Sequence, residues 1–226
     1  MPASSPYLNH PKEIGLVKEE TFVSETPFKL TNGACLDRIE LRYECYGKLN
    51  AQKDNAIYIC HALTGDHHVA GIYHEADEKP GWWNHVVGPG KPIDTNRFFV
   101  LSSNCLGGCR GSTGPASENP NGNEASMGGN FPDLSISDMI HAQKALIDHF
   151  GICQLHAVIG GSMGGMQALQ WIVEYPGFAK NAIIIAATAK HSVQTLAFNE
   201  AGRCSIRGDL AWEKGNYEKG AGPRKG

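Results

Sequence analysis

The stretch Leu155-His156-Ala157-Val158-Ile159-Gly160-Gly161-Ser162-Met163-Gly164-Gly165-Met166-Gln167 decides how the rest of the chain is read. A short apolar run, Leu155 to Ile159, meets a Gly-x-Ser-x-Gly motif, and a helical pattern then runs from Met163 to about Tyr175, stopped by Pro176. A chain that turns from strand into helix this abruptly forces the residue at the bend into a backbone geometry that side chains resist. The flanking glycines remove the atoms that would collide there. Ser162 is therefore read as a nucleophile whose hydroxyl stands at the carboxyl edge of a sheet. The helix that follows points its first backbone N–H groups, with their partial positive charge, at the same spot, which suits a developing oxyanion.

Strand and helix signals alternate on both sides of this bend. Apolar and polar residues alternate over Ile39 to Tyr46, Ala56 to Cys60 is a short run suited to burial on both faces, and Phe98 to Leu101 is a further strand. After Pro132, Ser135 with Asp138 fits a capping box, Ile136, Met139, Ile140, Leu146, Ile147 and Phe150 share one face, and Gly151 supplies the stop. Ala182 to Ala186 predicts a strand and Val193 to Ile206 a helix. This alternation predicts an α/β fold with right-handed crossovers, a mainly parallel sheet and helices on both faces. Residues 1–37, with Pro2, Pro6, Pro11 and Pro27, read as an irregular lead-in holding one short strand near Thr21 to Val23, and residues 38–226 read as the core domain. The segment from Gly65 to Asn96 reads as an ordered excursion whose Trp82 and Trp83 serve packing. Residues 104–132 form a Gly-rich loop of a length that is usually functional, and no Gly-Lys-Ser/Thr follows its glycines to make a phosphate loop.

Composition narrows the function class. The 226 residues are 41% hydrophobic and 19% charged, and 20 basic and 23 acidic residues leave a net charge of -3 without long runs of one sign. Such a surface offers no footprint for nucleic acid or anionic membrane and suits small neutral or zwitterionic partners. There is no apolar run of membrane-spanning length and no signal-peptide pattern at Met1 to Ser5, so a cytoplasmic protein is expected. The seven cysteines form no Cys-x-x-Cys pair and are expected to be reduced, and the ten histidines show no metal-binding spacing, so no metal is expected.

A Gly-x-Ser-x-Gly bend between strand and helix is the nucleophile elbow of the α/β-hydrolase fold, where a second oxyanion donor comes from the loop after an earlier buried strand. His61-Ala62-Leu63-Thr64-Gly65 follows Ala56 to Cys60 directly, which assigns the backbone N–H groups of Leu63 and Met163 as the pair. A plain strand-to-loop turn is the alternative. His61 reads as a structural residue rather than the base, because the catalytic histidine of this fold follows the nucleophile in chain order.

Several blocks carry a wider resemblance: Cys60 to Asp66, Gly81-Trp82-Trp83, Gly88 to Lys91, Asp94 to Val100, Leu106 to Cys109, Gly111 to Pro115, Ile159 to Gln167 and Ala197 to Glu200. In this order they resemble the homoserine O-acetyltransferase family, from about Leu41 to the end of the chain. The resemblance implies an enzyme of methionine biosynthesis that binds no cofactor and forms a homodimer. In its ping-pong reaction Ser162 takes an acetyl group from acetyl-CoA and passes it to the hydroxyl of L-homoserine. Ala62, Thr64 and Arg110 are the expected pocket residues, on loops that leave the carboxyl ends of parallel strands.

The chain departs from the family in its triad. The one histidine after Ser162 is His191 and the one acid between them is Glu174, which lies about three helical turns from the elbow. The triad Asp and His, the Arg for the substrate carboxylate, the last strands and the lid are expected beyond Gly226, and the 226 residues alone are expected to be inactive. A homoserine or serine O-succinyltransferase, an esterase of the same fold and a non-catalytic fragment are the other readings.

Overall fold

The computed structural model describes residues 5–8, 10–118, 126–217 and 220–224. In chain order the strands are β1 (Glu20–Ser24), β2 (Phe28–Lys29), β3 (Cys35–Leu36), β4 (Ile39–Tyr46), β5 (Ala56–Cys60), β6 (Val87–Gly88), β7 (Ile93–Asp94), β8 (Phe99–Ser103), β9 (Ala157–Gly161) and β10 (Ala182–Ile185). The helices are α1 (Ile136–His149), α2 (Met163–Glu174) and α3 (Val193–Arg207). Six strands make one sheet in the order β1-β4-β8-β5-β9-β10, while β2 with β3 and β6 with β7 form small ladders. From β8 through β10 the neighbours are parallel, and β4 runs antiparallel to both β1 and β8. β5 therefore lies inside the sheet, with all five of its residues buried.

Side chains leave β5 alternately. Tyr58 and Cys60 join a core with Ile140, Leu146 and Ile147 of α1 and Ala168 and Trp171 of α2, so both helices cover one face. Ile57 and Ile59 join Val100 and Ile159 on the other face. Helices were expected there too, but among the described residues that face is covered by Val69, Ala70, Val87 and Ile93 of the excursion, with Ile14, Val17 and Trp83 against them. The excursion places its apolar residues at irregular intervals, so it covers the sheet as an ordered loop. Trp83 packs against this face as expected, whereas Trp82 is 40% exposed and donates its indole N–H to the Asp66 carbonyl at 3.0 Å.

Several boundaries differ from the sequence reading: the lead-in holds three strands, β1 to β3, where one was expected, β8 starts at Phe99 rather than Phe98, and β10 ends at Ile185 rather than Ala186. The lead-in contributes β1 to the main sheet, paired from Glu20 opposite Tyr43 to Ser24 opposite Ile39; residues 1–4 and 9 of it lie outside the described residues. β8 runs on to Ser103, and β9 covers Ala157–Gly161 where the hydrophobic run predicts Leu155 to Ile159. Leu155 instead makes a single bridge to Ala179. Glycines 160 and 161 carry no hydropathy signal, yet β9 holds them as strand residues, Gly160 opposite Cys60.

α1 begins as the sequence predicts. The Ser135 hydroxyl accepts the Asp138 amide, the Asp138 carboxylate accepts the Ser135 amide at 2.8 Å, and the same carboxylate takes the Thr31 amide at 2.7 Å. Close to this cap, the Glu174 carboxylate at the end of α2 accepts from Ser137 at 2.5 Å, Gln170 at 2.6 Å and His141 at 2.5 Å, stapling the C-terminus of α2 to the first turns of α1.

The first turn of α2 lies on the sheet at backbone contact. A Cβ on Gly164 would strike the carbonyls of Cys60 and His61, and one on Gly160 would strike the Gly164 carbonyl; at Gly161 the nearest atom would be 3.9 Å away. Gly164→Ala is accordingly expected to cost about 1–3 kcal/mol of stability by overpacking, and Gly161→Ala no more than about 0.5 kcal/mol, both read by denaturant unfolding of the full-length protein. The Glu174 staple makes a second prediction. Burial pushes this carboxyl up, but the hydrogen bonds from Ser137, Gln170 and His141 outweigh it and hold it below its ordinary value. A depressed carboxylate stabilises the fold above its unfolded-state pKa, and the contribution is lost as pH falls through the lower folded value. The Tm deficit of Glu174→Gln should therefore be largest near neutrality and narrow as pH falls from about 5 to about 3.

Candidate active site

Ser162 caps the N-terminus of α2 at φ 55° and ψ -120°, a conformation rare for a residue with a side chain. Its amide donates to the Ile185 carbonyl of β10 at 3.0 Å, and its carbonyl accepts the Met166 amide at 3.1 Å. Serines at helix N-caps normally spend their hydroxyl on an amide of the first turn. Ser135 does so toward Asp138 and Ser192 toward Thr195, but Ser162 makes no such bond. Its hydroxyl stands exposed at the carboxyl edge of the sheet with no partner inside its own helix.

The loop after β5 reaches the same edge. Ala62 and Gly65 close a tight turn, the Gly65 amide donating to the Ala62 carbonyl at 2.9 Å, and Leu63 at its tip is 77% exposed. The backbone amides of Leu63 and Met163 have no hydrogen-bond partner among the described residues. α2 meets the exit of β5 directly, through Gly164 against Cys60 and His61 and through the Gln167 side-chain amide, 3.4 Å from the His61 carbonyl.

His61 is buried and fully committed. Its Nε2 accepts the Cys105 amide at 3.0 Å, which places the ring proton on Nδ1, where it donates to the Ala62 carbonyl at 2.7 Å. Burial pushes this imidazole below its ordinary value, with the Ala62 bond opposing in part. The ring thus ties the turn after β5 to the loop after β8, and its lone pair is taken.

The other expected site residues fall on one rim. Ala62 is half-buried, Thr64 is exposed, and the exposed Arg110 guanidinium lies 3.5 Å from the Asp66 carboxylate, bridging the loop after β8 to the loop after β5. That Gly-rich loop is ordered against β4: the Thr113 amide donates to the Glu40 carbonyl at 2.8 Å and the Arg42 amide to the Ser112 hydroxyl at 3.1 Å. Residues 119–125 of the loop lie outside the described residues. Glu174 is stapled to α1, about 18 Å along the helix from Ser162. Among the described residues, no imidazole or carboxylate, His191 included, is hydrogen-bonded to the Ser162 hydroxyl. Nor do any three His, Cys, Asp or Glu side chains among them form a group that could hold a metal ion.

Sequence reasoning missed the polar groups beneath this rim. Glu44 of β4 is buried and accepts from the Tyr46 hydroxyl, from the Tyr73 hydroxyl at 2.5 Å and from His68 Nδ1 at 3.2 Å. The Tyr46 oxygen in turn accepts the amides of Val69 and Ala70, so a buried carboxylate pins the segment that leads away from the Leu63 turn. Burial, then Glu44 itself, raises the pKa of both phenols and keeps them as donors. Gln143 and Gln167 are also buried, on the apolar faces of α1 and α2. A glutamine at an inward position of an amphipathic helix was the signal available for Gln143 and Gln167; Glu44 shares the polar phase of β4 with Glu40 and Arg42, so its burial left no such signal.

Comparison with known proteins agrees with this geometry. Residues 55–210 match the α/β-hydrolase fold family. A homoserine O-acetyltransferase from Methanobrevibacter ruminantium is 56% identical over 214 residues, covering 94% of this chain and 43% of the relative. The crystal structure of homoserine O-acetyltransferase from Bacillus anthracis superposes with a TM-score of 0.83 at 35% identity, over 90% of this chain and 56% of that one. An esterase crystal structure gives a TM-score of 0.84 at 36% identity, over 91% of this chain and 57% of that one. The chain spans about half the length of the curated relatives it matches, from 43% to 59%. This chain therefore belongs to the α/β-hydrolase fold family, and within it is similar to homoserine O-acetyltransferases over nearly all of its length.

Proposed function

We propose that the protein is an acyltransferase that moves an acetyl group from acetyl-CoA to the hydroxyl of L-homoserine through an acyl-Ser162 intermediate. The observation that carries this reading is the exposed hydroxyl of Ser162, unbonded within its helix, at a strained N-cap whose following Met163 amide has no partner among the described residues. In the first half-reaction Ser162 Oγ attacks the thioester carbonyl, the C–S bond breaks, and the CoA thiol leaves with the proton. In the second, the homoserine oxygen attacks the Ser162 ester and the serine recovers a proton. Each half passes through a tetrahedral oxyanion, for which the Leu63 and Met163 amides are the donors in this reading. Among the described residues no side chain is hydrogen-bonded to the Ser162 hydroxyl, and this reading assigns none as the base that shuttles the proton. Acetyl-CoA and homoserine as substrates, a homodimer, a cytoplasmic location and the absence of a bound cofactor belong to the same proposal, supported by the relatives' names and not by contacts in this structure.

An esterase is the second reading, favoured by the superposition on a crystallised esterase at 36% identity. The two share acylation and differ in whether water or an alcohol resolves the acyl-enzyme. Mass spectrometry of the full-length protein after a short pulse of acetyl-CoA should find the acetyl group on the peptide containing Ser162, and none on Ser162→Ala. Label elsewhere, or turnover in the alanine variant above the roughly thousandfold-reduced residue left by binding and the oxyanion donors, would overturn the reading. Acetylhomoserine as the dominant product supports the transferase, and acetate as the dominant product supports the esterase. Ala62→Trp, on the rim beside Ser162, should change the ratio of kcat/KM for homoserine over serine; an unchanged ratio would remove Ala62 from the pocket.

A further inference from the structure

Three buried side chains form a chain of hydrogen bonds beneath the site. Trp171 Nε1 lies 2.8 Å from Gln143 Oε1, Gln143 Nε2 lies 2.5 Å from Gln167 Oε1, and Gln167 Nε2 lies 3.4 Å from the His61 carbonyl. Trp171 and Gln143 are 1% exposed and Gln167 is 0% exposed. The order of these groups has one solution. An indole N–H can only donate, so Gln143 must turn its oxygen toward Trp171 and its nitrogen toward Gln167. Gln167 must then accept with its oxygen, and its own nitrogen is left facing His61. One donor-only ring thus orients both amides.

The end of this chain lies where β5 has stopped. The ladder ends at Cys60, so the His61 carbonyl is one residue past its last strand partner and is buried. A buried carbonyl needs a donor, and the donor here comes from α2, the helix that carries Ser162 and Met163 at its start. The next link is the His61 ring, which donates to the Ala62 carbonyl at 2.7 Å. The Ala62 carbonyl and the Leu63 amide belong to one planar trans peptide, in which N–H and C=O point in opposite directions. Holding the carbonyl from one side aims the amide to the other.

We propose that Trp171, Gln143 and Gln167 are positioning residues that lock the Leu63 amide in register with Ser162, so that one helix sets both the nucleophile and the oxyanion donor on the neighbouring loop. The proposal rests on the acyl-transfer reading above. Apolar side chains of similar size at positions 143 and 167 would satisfy the core without the desolvation that two buried amides require. What the amides add is a fixed orientation at the His61 carbonyl.

The test uses the full-length protein with p-nitrophenyl acetate as substrate and phenylboronic acid as the probe of the tetrahedral state. Gln167→Met keeps the shape and removes the donor. Displacing a reacting or stabilising group by a fraction of an ångström to an ångström is expected to lower kcat by about ten- to a hundredfold. Phenylboronic acid should weaken by a similar factor while KM stays within about twofold, since the ground state does not use the oxyanion donors. Trp171→Phe removes only the orienting N–H and should shift kcat and boronate affinity the same way by a smaller factor; it also serves where Gln167→Met lowers Tm below the assay temperature. A folded Gln167→Met protein with kcat and boronate affinity within about twofold of the parent would overturn the relay and leave the acyl-transfer reading standing. A parent protein that neither turns over the ester nor binds the boronate would overturn that reading and the relay with it.

Discussion

The backbone at Ser162 is the constraint around which this half of the sheet is arranged. Holding a serine at φ 55° and ψ -120° costs on the order of 1–3 kcal/mol, and such a conformation persists only where its surroundings over-determine it. Here β10 takes the Ser162 amide, α2 takes its carbonyl, and the glycines before and after it let β9, α2 and β5 meet at backbone contact. Ala186, just past the residue that accepts the Ser162 amide, also has a positive φ of 48°. The strain at the bend is thus shared with the exit of the neighbouring strand. In return the Ser162 hydroxyl is released from the capping bond that the serines before α1 and α3 make.

The loops around the strained Ser162 bend are fixed as well, by buried polar contacts. His61 ties the turn after β5 to the loop after β8, Glu44 pins the following segment through Tyr46, Tyr73 and His68, and Gln167 reaches the β5 exit from the helix that Ser162 caps. Loops at the carboxyl edge of a parallel sheet have no ladder to hold them, so side chains from the sheet and helices below take over that task. In a low-dielectric interior each such bond is strong when made and costly when unmade, which favours one loop conformation over many.

Much of this could be read from residues close together in the chain. The limits of β4 and β5, the capping box of α1, the start of α2 and the span of α3 to within a residue follow from hydrophobic period, turn chemistry and N-cap residues, all of which act over a few positions. The elbow is legible for the same reason, because its sterics involve Gly160, Ser162 and Gly164 alone with the strand beside them. The register of β9 was not legible, since glycine contributes no hydropathy and only pairing with β5 and β10 shows that Gly160 and Gly161 are strand residues.

What the sequence by itself determined, then, is the Gly-flanked serine bend, the strand-helix alternation and the family resemblance, since each is written in local spacing. Tertiary structure alone decided that loops rather than helices cover the second face among the described residues, that β1 joins the main sheet, and that the hydroxyl of Ser162 is the unbonded one among three capping serines. It also decided the partners of Glu44, Gln143 and Gln167. The Gln167 contact with His61 spans 106 positions and that of Thr31 with Asp138 spans 107. No local pattern encodes such a pair. It exists because the parallel crossover returns the chain to the same sheet edge, where a buried polar group must take whichever donor or acceptor the fold delivers.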